Sequence, residues 1–262
     1  MRILFIGDVV GKAGRRVLAA HLDRLVDKFS IDFSIANVEN AADGSGVTPD
    51  LAAEFLAMGI HCMTTGNHIW DKREIAPYIA AEKRLLRPIN YPDELPGSGC
   101  YLGETAGGLP VGVINVMGRI FMPPVNDPFR AARAAVEDLK TRARVVIVDM
   151  HAEATSEKMA LGWHLAGLAS AVVGTHTHVP TADERILPGG TAFITDVGMT
   201  GPYDSVIGME KEASLSRFLF HMPARLTSAQ KDARLAGVVI DVDEESGRAR
   251  TIERVTRGDA DA

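Results

Sequence analysis

Short apolar runs, separated by longer segments with amphipathic spacing, recur along this chain. Five of the runs end within two residues of a side chain that can bind a metal ion. They cover residues 2–7 before Asp8, 33–38 before Glu39, 60–66 before Asn67, 145–150 before His151 and 171–174 before His176. Runs rich in β-branched residues are typical of strands in a largely parallel α/β sheet. Because ligands bind beyond the carboxyl ends of such strands, we expect these five side chains to lie close together.

The segments between the runs predict helices and place the remaining strands. Helices are predicted over residues 13–29, 49–58, a stretch after Asp71, 128–142, 156–168 and 212–221. Further strands are predicted at 111–117 and 192–195, and a terminal hairpin at 236–242 and 249–255, with a frayed end from Gly258. We expect His21 of the first helix on the surface.

We interpret residues 1–262 as one domain, in which the loop-rich segments 87–108 and 196–210 border or cap the site.

Composition narrows the class of protein. A chain of 262 residues is long enough to bury a large core without disulfides. Its net charge of -6 argues against a broad basic surface for nucleic acid. Cys62 and Cys100 lack metal-type spacing, and no apolar run reaches the roughly 20 residues that span a bilayer. The N-terminus is not typical of a signal peptide. We therefore expect a cytoplasmic protein without membrane association, and homo-oligomerisation on general grounds.

The sequence His176-Thr177-His178 carries the strongest chemical signal. In extended chain, residues i and i+2 point to the same side, so both imidazoles can reach one cavity. Taken alone, Asp8 is explained as a turn residue, Asn67 as a cap and His151 as a loop histidine. Their coincidence at one end of the strands favours a metal site instead. Carboxylate, amide and imidazole ligands without a thiolate suit iron, manganese or zinc, and two such ions are suited to phosphate ester hydrolysis.

Longer motifs then match a known family. They are Gly7-Asp8, Gly66-Asn67-His68, His151 and Gly174-Thr175-His176-Thr177-His178. In this order they resemble the calcineurin-like metallophosphoesterases. The strings 5–11, 37–40, 65–71, 195–202 and 204–208 are closer still to the YmdB-like 2′,3′-cyclic-nucleotide 2′-phosphodiesterases. Val10 stands where most of the larger family has a histidine ligand, and Glu39 stands in place of a bridging aspartate, so we infer that Asn40 compensates. Ile69 replaces an acidic residue, which leaves Asp71 as a candidate to orient His68.

The resemblance implies a fold, a cofactor and a reaction. The fold would be a four-layer αββα sandwich with a dinuclear metal site at the carboxyl ends of the strands. Asp8, Glu39, Asn40 and His178 would hold one divalent ion, and Glu39, Asn67, His151 and His176 the other. Iron is the expected metal, with manganese or zinc as alternatives. His68 would act as general acid while a metal-bridging hydroxide attacks phosphorus in line and opens 2′,3′-cyclic nucleotides to 3′-nucleotides.

Several questions stay open at the level of the sequence. Arg15, near Asp8, and Tyr203, Asp204 and Ser205, in a glycine-rich loop, are candidate substrate contacts. The same metal site would also serve a phosphomonoesterase or 5′-nucleotidase, because a fold does not determine the leaving group. A third hypothesis is a regulatory protein that binds a partner and has weak catalysis.

Overall fold

Strands and helices alternate through most of the chain, as the apolar pattern predicts. The computed structural model describes residues 1–261. Its elements are β1 (Arg2–Ile6), β2 (Asp8–Val9), α1 (Gly11–Phe29), β3 (Phe33–Asn37), α2 (Pro49–Ala57), β4 (Cys62–Thr64), α3 (Ile75–Ala81), β5 (Cys100–Glu104), β6 (Pro110–Met117), α4 (Pro128–Leu139), β7 (Val145–His151), α5 (Thr155–His164), β8 (Ala171–Thr175), β9 (Arg185–Leu187), β10 (Thr191–Ile194), β11 (Met199–Pro202), α6 (Lys211–Phe220), β12 (Ala233–Val242), β13 (Ala249–Gly258) and a 3₁₀ turn at Asp259–Asp261.

The strands form two sheets rather than one largely parallel sheet. The first has the order β2-β11-β12-β1-β3-β4, with β13 also paired to β12, and the second has the order β5-β6-β7-β8-β10-β9. In the first sheet β1 and β3 are parallel, but β12 is antiparallel to β1, with Arg2 opposite Asp241. In the second sheet β6, β7, β8 and β10 are parallel to one another, and β5 and β9 are antiparallel edges. The single largely parallel sheet that the apolar runs alone predict is therefore wrong, whereas the family resemblance implies two sheets.

The central strands are buried on both faces, which explains their continuous apolar runs. In β1, Ile3 and Phe5 join the apolar cluster shared by the two sheets, whereas Leu4 and Ile6 join a cluster that includes α1 and α2. In β7, Val145 and Ile147 join the shared cluster, and the alternate residues join a third cluster with α4 and α5. The observed class is a mixed α/β fold of two sheets with six α-helices among the described residues.

Local capping fixes where two predicted helices begin. The Thr48 hydroxyl accepts a hydrogen bond from the Leu51 amide at 3.3 Å, and Pro49 occupies the first turn of α2. The Asp127 carboxylate accepts from the Phe129 and Arg130 amides at 2.9 and 3.1 Å. Side-chain oxygens at these positions satisfy amides that have no partner within the helix. No helix among residues 1–261 is long and apolar enough to cross a membrane.

Three local expectations from the sequence are wrong. His21 is buried, and Nε2 of its ring contacts the Gly258 carbonyl at 3.0 Å. The chain continues past Gly258 as an ordered turn, in which Arg16 pairs with Asp259 at 2.9 Å, so residues 258–261 are not frayed. Ala262 lies outside the described residues. The helix predicted over 156–168 ends at His164, and Gly167 then takes a positive φ of 77° that turns the chain toward β8.

Candidate metal centre

All seven residues expected to bind metal lie at or just after strand ends, at one edge of the two sheets. Asp8 follows β1, Glu39 and Asn40 follow β3, and Asn67 follows β4. His151 ends β7, and His176 and His178 follow β8. The first sheet therefore contributes the carboxylates and amides, and the second contributes the histidines. Because the last residue of each strand is held by its sheet, the side chains are brought together by the fold rather than by one loop.

Three other side chains converge on Nε2 of His151. This atom lies 3.0 Å from Glu39 Oε1, 3.2 Å from Asn67 Oδ1 and 3.0 Å from His176 Nδ1. Glu39, His151 and His176 offer donor atoms that all lie within 4.8 Å of one another. So many lone pairs at this spacing repel one another unless a positive charge is shared between them. The ligand set of one carboxylate, one amide and two imidazoles suits a transition metal.

A second group of candidate ligands lies around Asp8. Its Oδ1 atom is buried without a hydrogen-bond partner, and it lies 4.0 Å from His178 Nε2. Its Oδ2 atom accepts from the His176 amide at 3.1 Å. Asn40 Nδ2 lies 3.0 Å from His178 Nε2 and 3.3 Å from Glu39 Oε1, so Glu39 adjoins both groups. A buried carboxylate oxygen without a partner is costly, which fits an atom placed to bind a cation.

The outer ring nitrogen of each histidine in the centre is bonded to an oxygen. His178 Nδ1 lies 2.8 Å from the Ile207 carbonyl, which can only accept, and His176 Nε2 lies 3.2 Å from the Glu153 carboxylate. His151 Nδ1 lies 2.9 Å from Thr175 Oγ1, whose proton is given to Asp149 at 2.7 Å. In the neutral rings the other nitrogen therefore carries the lone pair and faces the centre. Such partners fix the tautomer of metal-binding histidines.

The electrostatics of the centre favour one added positive charge. Burial raises the pKa of the Asp8 carboxyl, against the attraction of His178 and His151. Burial also raises the pKa of Glu39, but the charge and hydrogen bond of His151 outweigh it and hold the value at about 2. Burial lowers the pKa of His151, yet Glu39 outweighs it and raises the value to about 9. Burial and repulsion by His151 lower the pKa of His176 to about 3. A proton or a metal ion can supply this charge.

The backbone around the centre is strained or unusually close. His176 and His178 have φ angles of 99° and 64°, a region that costs about 1–3 kcal/mol for a residue other than glycine. A Cβ at Gly66 would lie 2.2 Å from His151 Nε2 and 2.5 Å from Glu39 Oε2. Only glycine therefore fits between the strand end of β4 and these two side chains. Strain and close approach of this kind are typical of functional sites.

A buried ion pair holds the turn between His176 and His178. The Asp196 carboxylate accepts from the Thr177 amide at 3.1 Å and the Thr177 hydroxyl at 2.7 Å. The same carboxylate pairs with Lys158 of α5 at 2.6 Å, and both side chains are almost fully buried. Asp196 thus fixes the residue between the two strained histidines, and Lys158 balances its charge.

His68 lies on the open side of the centre. Its amide donates to Glu39 Oε2 at 3.1 Å, and its ring Nδ1 lies 2.8 Å from Asp71 Oδ2. The Ser45 hydroxyl donates to the same Asp71 oxygen. Both the His68 and Asp71 side chains are partly exposed. A carboxylate on Nδ1 leaves Nε2 as the ring atom available to the cavity.

A cavity of about 590 Å³ adjoins the centre, and both polar and apolar residues line it. Its lining includes Glu39, Asn40, Asp43, Ser45, His68, Glu153, His176, His178, Val179, Ile207, Met209 and Leu226. The segment 196–210 thus borders the cavity through Ile207 and Met209. The volume is in the range of small-molecule sites, roughly 300–1,000 Å³.

The four candidate substrate contacts bond to other parts of the protein. Arg15 donates to the Ala41 carbonyl at 2.6 Å, directly after Asn40. Tyr203 donates to the Met199 carbonyl at 3.0 Å, and Asp204 pairs with Lys211 at 2.6 Å. Ser205 accepts from the Gly208 amide at 2.9 Å. These contacts shape the loops that lead to Asn40, Ile207 and Met209.

Sequence reasoning misses the residues that support the histidines. Asp149 is fully buried, accepts from Thr64, Thr175 and Asn37, and burial raises its pKa to about 6. Asp149 interrupts the apolar residues of β7, and Asn37 is a polar residue at the end of β3. A polar residue within a mainly apolar run is the signal that could have found them. Lys158 gives no such signal, because a lysine in a helix is ordinarily solvated.

Comparison with known proteins places this arrangement in a family. The chain is 49% identical over 259 residues to the 2′,3′-cyclic-nucleotide 2′-phosphodiesterase of Bacillus subtilis (strain 168), covering 99% of this chain and 98% of that protein. A crystal structure of a hypothetical protein from Thermus thermophilus has a TM-score of 0.92 at 44% identity, covering 98% and 99% of the two chains. A novel phosphatase from Mycoplasma pneumoniae has a TM-score of 0.92 at 33% identity, covering 98% and 93%. A sequence model described as YmdB-like protein matches residues 4–255. The chain belongs to the YmdB-like protein family.

Proposed function

We propose that this protein is a dinuclear metal-dependent phosphodiesterase that hydrolyses 2′,3′-cyclic nucleotides to 3′-nucleotides. The observation that carries the proposal is the convergence of acceptor atoms around His151 and Asp8, with the outer nitrogen of each histidine already bonded. Similarity to the Bacillus subtilis enzyme over nearly the whole chain supports the substrate class. A phosphoric ester hydrolase is also consistent with the phosphatase of Mycoplasma pneumoniae.

The residues present fit a pair of divalent ions. One ion would be held by Asp8, Glu39, Asn40 and His178, which would account for the unpartnered Asp8 oxygen. The other would be held by Glu39, Asn67, His151 and His176. Asn40 directs its amide nitrogen at His178 and Glu39, so binding through its oxygen requires the amide to turn over. Nitrogen and oxygen ligands of this mixture favour iron, with manganese and zinc as alternatives.

Two bound ions would supply an activated water at neutral pH and charge stabilisation for an in-line displacement. The chain itself supplies the proton for the leaving group. As a water oxygen bonds to phosphorus, the bond from phosphorus to the 2′-oxygen breaks. Because Nδ1 donates to Asp71, the acting form of His68 carries a proton on both ring nitrogens. It gives the Nε2 proton to that oxygen, and the proton released by the water restores the ring. Asp71 holds Nδ1 of His68 at 2.8 Å and keeps Nε2 available for this transfer.

The cavity wall supports a nucleoside as the rest of the substrate. Val179, Ile207 and Met209 line the same cavity as His68, His176 and His178. An apolar wall next to a charged centre suits a molecule with a flat base and a charged phosphate. Arg15, Tyr203, Asp204 and Ser205 would act by shaping the loops around this wall.

A phosphomonoesterase or 5′-nucleotidase is the second candidate. It is favoured by the 33% identity to a protein described as a phosphatase. The same metal ligands would serve both reactions, so the distinction depends on how the ribose is held next to His68.

We also infer a four-layer αββα arrangement for the fold. One apolar cluster contains residues of both sheets, and two further clusters each join one sheet to its own helices. In this arrangement the chain forms one domain, and the metal centre lies at the edge shared by the two sheets.

Hydrolysis of 2′,3′-cyclic AMP by protein reconstituted with iron or manganese tests the reaction, with the product isomer identified by chromatography. Metal-dependent formation of 3′-AMP is expected. Formation of 2′-AMP would contradict the assigned leaving oxygen. Cleavage of phosphomonoesters without cleavage of the cyclic nucleotide would support the second candidate.

A further inference from the structure

A tight turn over residues 206–209 carries an unusual residue at its first central position. Val206 and Met209 exchange two backbone hydrogen bonds, at 2.9 and 3.0 Å, across the turn. The two central residues, Ile207 and Gly208, have φ angles of 46° and 99°. Positive φ at both central positions is typical of a type I′ turn, which favours asparagine, aspartate or glycine. A β-branched residue with positive φ is an outlier, so the turn alone does not account for an isoleucine.

Neighbouring groups hold this turn in place. The Ser205 hydroxyl accepts from the Gly208 amide at 2.9 Å, and the Gly208 carbonyl accepts from the Ala229 amide at 2.9 Å. The Ile207 carbonyl lies 2.8 Å from Nδ1 of His178. A strained backbone persists only where its surroundings determine it in this way. The turn therefore holds the Ile207 side chain at a fixed position next to a candidate metal ligand.

The Ile207 side chain belongs to the cavity rather than to the core. It is 55% exposed, it lines the cavity, and none of the three apolar clusters of the described residues includes it. Val179 lines the same cavity and is 56% exposed. Both residues are tied to His178, Val179 as its neighbour in the chain and Ile207 through its carbonyl. Exposed apolar surface is thus fixed beside the metal centre.

The rest of the lining indicates what this apolar surface would bind. His68 and His176 line the same cavity, on the side where the phosphate would lie. Among the described residues that line it there is no lysine or arginine. The uncharged part of a substrate is therefore the part that would lie on Ile207. A nucleobase has a broad face with little charge, and its burial against a branched aliphatic side chain is favourable.

We propose that Ile207 is a specificity-determining residue that packs against the nucleobase of the substrate, with Val179 beside it. This inference rests on the proposed function, because it takes a nucleotide as the substrate. At this position isoleucine lowers the stability of the turn and strengthens binding of the base. Asparagine, which the turn favours, would have the opposite effect on each.

The substitution Ile207→Asn separates substrate binding from folding. It keeps the backbone carbonyl that faces His178, so metal content by mass spectrometry should equal that of the wild type. The melting temperature should stay the same or rise, because asparagine suits a type I′ turn. KM for 2′,3′-cyclic AMP should rise about tenfold with kcat within about twofold, as expected when binding alone is lost. KM for methyl ribofuranoside 2,3-cyclic phosphate, which lacks the base, should not change.

Two further variants control the result. Ile207→Val keeps a branched apolar side chain, so KM for 2′,3′-cyclic AMP should stay within about threefold of the wild type. Ile186→Asn is the matched control, because Ile186 is 39% exposed in β9 and does not line the cavity. Its KM should equal that of the wild type. A residue that only stabilised the turn would instead give Ile207→Asn a lower melting temperature and the same change for both substrates.

Nuclear magnetic resonance tests the contact without catalysis. Adenosine added to protein labelled at the isoleucine δ1 methyl groups should shift the Ile207 signal through the ring current of the base. The signal is assigned by its disappearance in Ile207→Val. The proposal is overturned if adenosine leaves this signal in place, or if Ile207→Asn leaves KM for the cyclic nucleotide unchanged or raises it equally for both substrates. A wild type that binds adenosine at Ile207 but does not cleave 2′,3′-cyclic AMP would contradict the proposed function and support this contact.

Discussion

The buried side of the centre and its open side are built differently. On one side, His151, His176 and His178 end or follow strands, and each ring is held by a hydrogen bond to a second residue. On the other side, His68 lies in a loop, is partly exposed, and is oriented through one carboxylate, that of Asp71. The groups proposed to share a cation are thus fixed by the sheets. The group proposed to give up a proton is held by fewer contacts and remains in reach of solvent.

The largest effect is expected from a substitution on the buried side, at the carboxylate of Glu39. Glu39→Gln keeps the shape of the side chain but removes the charge that faces His151 at 3.0 Å. Metal content by mass spectrometry should fall to background. Phosphodiesterase activity should fall by more than about a thousandfold, because loss of even an outer partner lowers metal affinity by roughly 10- to 100-fold. Glu54→Gln, on the exposed face of α2, is the control. A Glu39→Gln protein with full metal content would contradict the proposal that Glu39 helps to hold both ions.

The second largest effect is expected at His68, and it should distinguish the open side of the centre from the buried side. His68→Ala is expected to keep the metal content of the wild type and to lower kcat by about 10²- to 10⁴-fold, the usual contribution of a general acid. Metal analysis and steady-state kinetics on the same preparation check both expectations. A loss of metal would place His68 among the ligands, and unchanged turnover would remove it from the mechanism.

A third substitution tests how the buried side is supported. Lys158→Met leaves the Asp196 carboxylate buried without its partner, and breaking such a pair destabilises a protein by about 3–5 kcal/mol. Urea unfolding should show this loss, and metal titration should show affinity lowered by roughly 10- to 100-fold. Adding Asp196→Asn should recover much of the stability but not the affinity, because the hold on Thr177 stays weakened. Equal recovery of stability and metal affinity would show that the ion pair acts only by stabilising the fold.

The smallest expected effect concerns the orientation of His68. Asp71→Asn should lower kcat by about tenfold, the low end for an outer partner, with metal content unchanged. Asp50→Asn, in the first turn of α2, is the matched control. If Asp71→Asn changes KM alone, Asp71 contacts substrate rather than orienting His68.

The sequence predicts where the strands end better than it predicts which strands pair with each other. Asp8, Glu39, Asn67, His151 and His176 can be found because each terminates an apolar run, a local signal that needs no knowledge of pairing. The family prediction is confirmed by the match over residues 4–255. The apolar runs do not predict the division into two sheets, which only the family resemblance implies, since the pairing of β12 with β1 joins residues that are distant in the chain. No local pattern encodes such a contact.

The residues that support the histidines also differ in whether a local pattern in the sequence reveals them. Asp149 and Asn37 can be noticed as polar positions within apolar strands, because a buried carboxylate requires a partner. Lys158 cannot, since its role depends on the approach of α5 to Asp196 in three dimensions. The Asp71 contact with His68 spans three residues, and the sequence could only offer it as a candidate.

The position of β12 has a consequence for synthesis of the chain on the ribosome. This strand lies between β1 and β11 at the middle of the first sheet, yet it is made from residues 233–242. The second sheet is complete once residue 194 has been made, so its histidines can be in place early. Asp8 waits at the end of β1 until β12 arrives to close the gap. Between residues 194 and 233 a nascent chain therefore has the second sheet complete while the first sheet still lacks β12. We expect the proposed centre to retain metal tightly only after β12 has emerged.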